Sequence, residues 1–279
     1  MTIEEISYEE RHRRGLDVLS TLSGGRGDPE TTAQAMTDGL GALGSYAVDY
    51  VLGDLWSRPQ LSRRDRSMIV IAILSAFRAD DELHAHVHGG LSHGLSREEI
   101  EEVILQVAGY AGFPAAMHAT RIATRVFRTR DKTEHLERPP ADRKDDKARR
   151  IDANDVRQTL TGGRANPDPD QDLENMVGYI GDVGLLANQW AFGELWSRPQ
   201  LARRDRSLVV IAILTALSKE AELAIHIPGG LNHGLTREEI TEVMVQMTVY
   251  GGFPRAVEGI RAAQTAFAKI DARAAKADR

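Results

Sequence analysis

The 279-residue sequence contains no cysteine. Disulfides, thiolate metal sites and every thiol redox mechanism are thereby excluded. No apolar run reaches the length needed to span a bilayer. No basic block is large enough to make nucleic acid the main partner, and the formal net charge is -6. The acidic start, Met1-Thr2-Ile3-Glu4-Glu5, lacks the apolar core of a signal peptide, so a cytoplasmic protein is expected. Strand alternation punctuated by hairpin turns is also missing, which leaves an all-α fold class. What remains is 42% hydrophobic and 27% charged, the balance of a soluble globular chain.

The sequence is written twice. Trp56-Ser57-Arg58-Pro59-Gln60-Leu61 returns as Trp196-Ser197-Arg198-Pro199-Gln200-Leu201, and the match runs without a gap to Phe113-Pro114 and Phe253-Pro254. Within that span 37 of 59 positions are identical. Upstream, Leu22-Ser23-Gly24-Gly25-Arg26 resembles Leu160-Thr161-Gly162-Gly163-Arg164 with a register shift of two. Two domains are expected, 1–130 and 151–279. The charged, proline-containing stretch 131–150 between them reads as a solvated linker. In each copy the apolar segment from Ser67 to Phe77 predicts a buried central helix. A second helix runs from about Asp80 to His93 and stops at Gly94. Ser96-Arg97-Glu98-Glu99 and Thr236-Arg237-Glu238-Glu239 are capping boxes for a third. Pro114 opens a fourth.

The chemistry-bearing stripe lies on the second of these helices. At 100° per residue, Glu82, His86, Gly89 and His93 fall within about 40° to either side of one line. All four recur as Glu222, His226, Gly229 and His233. A carboxylate and an imidazole at i, i+4 can touch, which would fix the ring tautomer and raise its basicity. The glycine on the same face would leave room for a ligand. The bland alternative is an ordinary surface pair beside a close helix contact. His84, His86 and His88 diverge on a helix, and the second copy has Ala224 and Pro228 at the outer positions, so no metal is expected. Pro228 should bend its helix. In Arg63-Arg64-Asp65-Arg66 most charges are expected to be solvated. Arg66 and Arg206, nearest the apolar segment, are candidates to hold a substrate carboxylate in a bidentate fork. Trp56 and Trp196 read first as packing residues and second as substrate contacts. Tyr110 and Tyr250 are possible pocket donors, though a tyrosine at a helix end is more often structural.

Through these residues the chain resembles the carboxymuconolactone decarboxylase family. The likeness rests on Leu55-Trp56-Ser57-Arg58-Pro59-Gln60-Leu61, Arg63-Arg64-Asp65-Arg66-Ser67, Glu82-Leu83 to His86, Gly90-Leu91, Gly94, Glu98-Glu99-Ile100 and Tyr110-Ala111-Gly112-Phe113-Pro114, and the second copy matches equally well. The resemblance implies the alkylhydroperoxidase-like helical fold and frequent assembly into rings, so a homo-oligomer, trimer or dimer, is expected. The CxxC of the peroxidase branch would fall on Ala79 and Glu82, or Lys219 and Glu222, so thiol peroxidase chemistry is excluded. The resemblance further implies a carbon–carbon lyase without cofactor, acting on an unsaturated cyclic acid or lactone. His86 and His226 are then assigned as acid/base, with Glu82 and Glu222 tuning them. Arg66 and Arg206 bind the anion, with His93 and His233 donating a hydrogen bond. Two alternatives remain. One is an isomerase, cyclase or dehydratase that shuttles protons without losing carbon dioxide. The other is a non-catalytic binding protein.

Overall fold

The computed structural model describes residues 5–138 and 140–277; Met1 to Glu4 of the acidic start, Pro139 and the last two residues lie outside them. All regular secondary structure among the described residues is helical, with no strand. The first half runs α1 (Tyr8–Leu22), α2 (Pro29–Leu40), α3 (Ala42–Tyr46), a π-helix π1 (Ala47–Trp56), α4 (Arg63–Phe77), α5 (Asp80–Ser92), α6 (Arg97–Tyr110) and α7 (Phe113–Asp131). The second repeats it as α8 (Asp146–Thr161), α9 (Pro169–Ile180), α10 (Asp182–Leu186), π2 (Ala187–Trp196), α11 (Arg203–Ala216), α12 (Glu220–Asn232), α13 (Arg237–Tyr250) and α14 (Phe253–Ala277).

Local chemistry sets these boundaries. Both capping boxes form, with Ser96 and Thr236 accepting from the amides of Glu99 and Glu239 and the glutamates reaching back. Gly94 and Gly234 follow α5 and α12 with φ of 93° and 95°, where a side chain would be strained. Pro228 lies inside α12, which continues to Asn232.

The core is one cluster shared by both halves, because α4 packs on α11 at the centre and each also meets the other half's third long helix. Residues 65–75 of α4 are all buried, including Asp65 and Arg66. The expectation that this charged start is mostly solvated is therefore corrected. Arg64 pairs with Asp205 at 2.9 Å, and Arg204 holds Asp65 at 2.9 Å and Asp205 at 2.9 Å, so four charges close a ring between the halves. The connecting segment 132–145 is strapped down as well. Leu136 is buried, Arg138 bonds Glu101 at 2.7 Å, and Lys144 reaches the Gly193 carbonyl at 2.9 Å.

Close backbone approach places π1. A Cβ on Gly15 of α1 would lie 2.3 Å from the Val48 carbonyl oxygen, and one on Gly53 of π1 would lie 2.4 Å from the Arg11 carbonyl oxygen. Two glycines facing each other's backbone thus let α1 and π1 touch, and π1 ends on the buried Trp56. Gly15→Ala is expected to cost about 1–3 kcal/mol, since the clash is with backbone and not with a flexible side-chain tip. A urea midpoint unchanged from wild type would show that α1 can move away freely.

Candidate functional site

Three helices converge beneath α1. Trp56, at the end of π1, stacks on His86 with ring centroids 5.7 Å apart and tilts over His93 at 5.7 Å. Its Nε1–H donates to Tyr250 Oη at 2.9 Å. Tyr250 Oη in turn lies 3.3 Å from His86 Nε2, with the tyrosine edge against the imidazole. Tyr250 belongs to α13 of the other half. The reciprocal arrangement is Trp196 Nε1–H to Tyr110 Oη at 2.9 Å and Tyr110 Oη to His226 Nε2 at 3.3 Å. Each imidazole is therefore completed by a phenol supplied across the pseudo-two-fold centre.

The signal for this exchange is present in the sequence. Glu102, Gln106 and Tyr110 on α6 stand at i, i+4 and i+8, and Glu242, Gln246 and Tyr250 repeat them on α13. They form one polar stripe along the buried face of the helix. The stripe faces the opposite half. Arg66 Nη2 bonds Glu242 at 2.7 Å, Arg66 Nη1 bonds Gln246 Oε1 at 2.7 Å, and Arg58 forks onto Glu242 at 2.7 and 2.9 Å. Arg206 and Arg198 bond Glu102 likewise, each at 2.7 Å. Arg66 and Arg206 are both 0% exposed. The structure thus places the two proposed anion holders inside cross-half ion pairs, and neither lines the cavity at His86. The reason is that a buried guanidinium needs a fixed counter-ion. Burial pushes both arginines below their ordinary pKa, with the glutamates opposing.

His93 is also spoken for. Thr21 Oγ1 donates to the Val18 carbonyl at 2.9 Å, so it must accept from His93 Nε2 at 3.1 Å. His93 is then the Nε2–H tautomer, and Nδ1 accepts from Ser67 Oγ at 2.8 Å. His233 repeats this with Thr159 at 3.1 Å and Ser207 at 2.8 Å. Both rings support the tryptophan from below, between α1 and α4 or their counterparts, with no hydrogen-bonding position left for a substrate. The glycine of the stripe is filled too. A Cβ on Gly89 would meet Leu22 of α1 at 2.4 Å, so α1, not a ligand, occupies that room.

Glu82 and His86 line one cavity of about 620 Å³. Among the described residues they share no hydrogen bond, and Glu82 is exposed at the cavity rim. Direct tuning of the imidazole by the carboxylate one turn earlier is therefore absent in this state. Burial governs instead. Desolvation, with a smaller push from His93, lowers His86 to a pKa of about 4. His226 falls to about 4 for the same reason. Desolvation raises both Tyr110 and Tyr250 well above the ordinary phenol value. At neutral pH the site holds a neutral imidazole, enclosed at Nδ1, against an intact phenol. His88 lines the same cavity but does not touch the His86 ring. Arg26 Nη2 lies 2.9 Å from the His88 ring nitrogens at the cavity mouth. Among the described residues no group of three His, Asp or Glu side chains is placed to hold a metal ion.

These depressed values carry a stability consequence. Between pH 6.5 and 4 the unfolded chain binds protons that the folded chain refuses, so stability falls as pH falls through that window. The deeply buried His226 contributes up to about 3 kcal/mol, and the cavity-facing His86 less. His93 and His233, also near 4, act in the same direction but are partly open to solvent. A melting temperature flat from pH 6.5 to 4.5 would contradict this. The His86→Gln/His226→Gln variant should show a shallower decline.

The carboxymuconolactone decarboxylase family model matches residues 42–125 and 182–265, which is both halves. The chain is 38% identical over 95 residues to the 4-carboxymuconolactone decarboxylase of Acinetobacter baylyi, covering 34% of this chain and 71% of that one. It is 35% identical over 88 residues to the nitrosuccinic acid decarboxylase of Metarhizium robertsii, covering 32% and 62%. An uncharacterized 15.0 kDa protein of Paracoccus denitrificans is 32% identical over 88 residues, covering 31% and 65%. The chain thus spans just under two thirds of the latter two. No helix among the described residues is long and apolar enough to cross a membrane. With both repeats matched, the chain is a tandem member of the carboxymuconolactone decarboxylase family.

Proposed function

We propose that the chain is a cofactor-independent carbon–carbon lyase that decarboxylates an unsaturated cyclic carboxylic acid or lactone. The observation that supports this most directly is the neutral His86 ring, held by Tyr250 and Trp56, at the floor of a cavity large enough for a cyclic acid. The named decarboxylase relatives support the reaction class. An anion entering this enclosed space raises the imidazole's proton affinity, so His86 takes up a proton with the substrate. The electron pair of the breaking C–CO2 bond flows into the conjugated system. His86 Nε2–H then delivers its proton to the far carbon and returns to the neutral ring. Tyr250 O–H donates to the developing oxyanion, and Trp56 N–H fixes the phenol while it does so. Net, one carboxylate and one solvent proton become carbon dioxide and a C–H bond.

The test is carbon dioxide release from 4-carboxymuconolactone, nitrosuccinate and a panel of unsaturated cyclic monoacids. Release by wild type and not by His86→Gln/His226→Gln supports the reading. Conversion of an acid without carbon dioxide points to the isomerase, cyclase or dehydratase alternative, and ligand binding without any turnover points to a binding protein. The same proposal includes two domains, 1–130 and 151–279, and a cytoplasmic homo-oligomer. Leu40, Leu43 and Tyr46 on one half, and Ile180, Val183 and Leu186 on the other, are exposed at matching places. Light scattering that gives the mass of a single chain would remove the oligomer.

A further inference from the structure

We infer that the chain carries one ligand site, in its first half, built for a mostly apolar ring system bearing a single acidic group. This rests on the proposed function for the identity of the site but names its substrate class. The cavity above His86 is walled by Leu22, Met36, Leu43, Val51, Leu52 and Val249. Such a surface favours an apolar body of matching size. Arg26 is the only lysine or arginine among the lining residues. It stands at the mouth, on a turn whose Gly24, Gly25 and Gly27 all have positive φ, with Nε held by the Ser23 carbonyl at 3.0 Å. Among the described residues its Nη1 makes no hydrogen bond and is available to a carboxylate. A second carboxylate on the ligand would find no second arginine or lysine and would face Glu82 across the same space. The single acidic group therefore sits at Arg26, where carbon dioxide can leave to solvent. The far end of the conjugated system reaches His86, where the proton arrives.

The second half has lost this arrangement. Leu19, Leu52, Ala85 and His88 are replaced by Arg157, Phe192, Ile225 and Pro228. Arg157 forks onto the buried Asp172 at 2.6 and 3.1 Å and lies 5.6 Å over the Phe192 ring. An ion pair and larger side chains stand where the first half keeps open apolar wall, although Trp196, Tyr110 and His226 retain their geometry.

Calorimetric titration of the full chain with 2-naphthoate tests this. One equivalent per chain is expected. Ala85→Ile, which imports the second-half residue at an exposed position, should weaken binding at least about tenfold. Circular dichroism and melting confirm that this variant folds. Arg26→Ala should weaken 2-naphthoate about tenfold and leave the neutral 2-acetylnaphthalene within about twofold. Two equivalents per chain, indifference to Ala85→Ile, equal losses for the acid and the ketone, or tighter binding of naphthalene-2,6-dicarboxylate would overturn the inference. So would no binding below about 1 mM. Binding as expected with no carbon dioxide released from any acid would remove the lyase and leave the site. Carbon dioxide release from a dicarboxylate lactone, with 2-naphthoate excluded, would do the reverse.

Discussion

The variant His86→Gln/His226→Gln is expected to lower kcat by about 10²–10⁴ while leaving the fold intact, as an acid/base group accounts for a factor of that order. Glutamine can keep a hydrogen bond to the Tyr250 and Tyr110 hydroxyls but cannot carry a proton onto carbon. The wild-type pH profile gives an independent reading. Free His86 is deprotonated above about pH 4, and the reacting complex needs it protonated. Each productive encounter must then take up a proton, so kcat/KM should fall across pH 5 to 8. The profile of kcat should be flatter, because the bound anion holds the proton on the ring. Calorimetry in buffers of different ionisation enthalpy would register the uptake directly. Activity in the double variant within tenfold of wild type, or a kcat/KM that rises with pH over this range, would remove His86 from the proton transfer.

Glu242→Ala is expected to cost about 3–5 kcal/mol of stability. It strips the counter-ion from Arg66, which has no access to water, and from Arg58 in the same contact. Against a total stability of roughly 5–15 kcal/mol, such a loss brings the chain close to unfolding at ordinary temperatures. Glu102→Ala should behave similarly, through Arg206 and Arg198. Glu242→Gln retains the hydrogen bond without the charge and should lose less. Denaturant midpoints measure all three. A shift under about 1 kcal/mol for Glu242→Ala would mean that water reaches Arg66 readily. The effect should extend to chemistry, since Glu242, Gln246 and Tyr250 stand on one face of α13. Disturbing the first two moves the phenol that holds His86.

Much of the fold was legible along the chain. Gapless repetition identified the two halves, the continuous apolar run fixed α4, and the capping boxes and glycines fixed the ends of α5, α6, α12 and α13. Those signals are local, carried by neighbours in sequence, and a fold cannot easily override them. The π-helices at 47–56 and 187–196 had no such signal. They depend on α1 and α8 lying against glycines far away in sequence. The candidate site was half legible. Spacing put Glu82 and His86 on one side of a helix, and both do line one cavity. Spacing also suggested that they touch and that Gly89 leaves room, whereas helix α1 fills that room and burial, not the carboxylate, sets the imidazole.

The sequence by itself determined that this protein is a duplicated helical chain without thiols, with an imidazole repeated at equivalent places. Only tertiary structure decided which partners those imidazoles have. Tyr250 lies 164 residues from His86 and Glu242 lies 176 from Arg66. Contacts at that separation arise from packing α4 against α11; the polar stripes on α6 and α13 mark a face that needs partners, but nothing along the chain says which residues those are. The same packing turned Arg66 from a candidate holder of a substrate carboxylate into a buried tie between halves. A guanidinium sealed from water must find its counter-charge wherever the fold brings one.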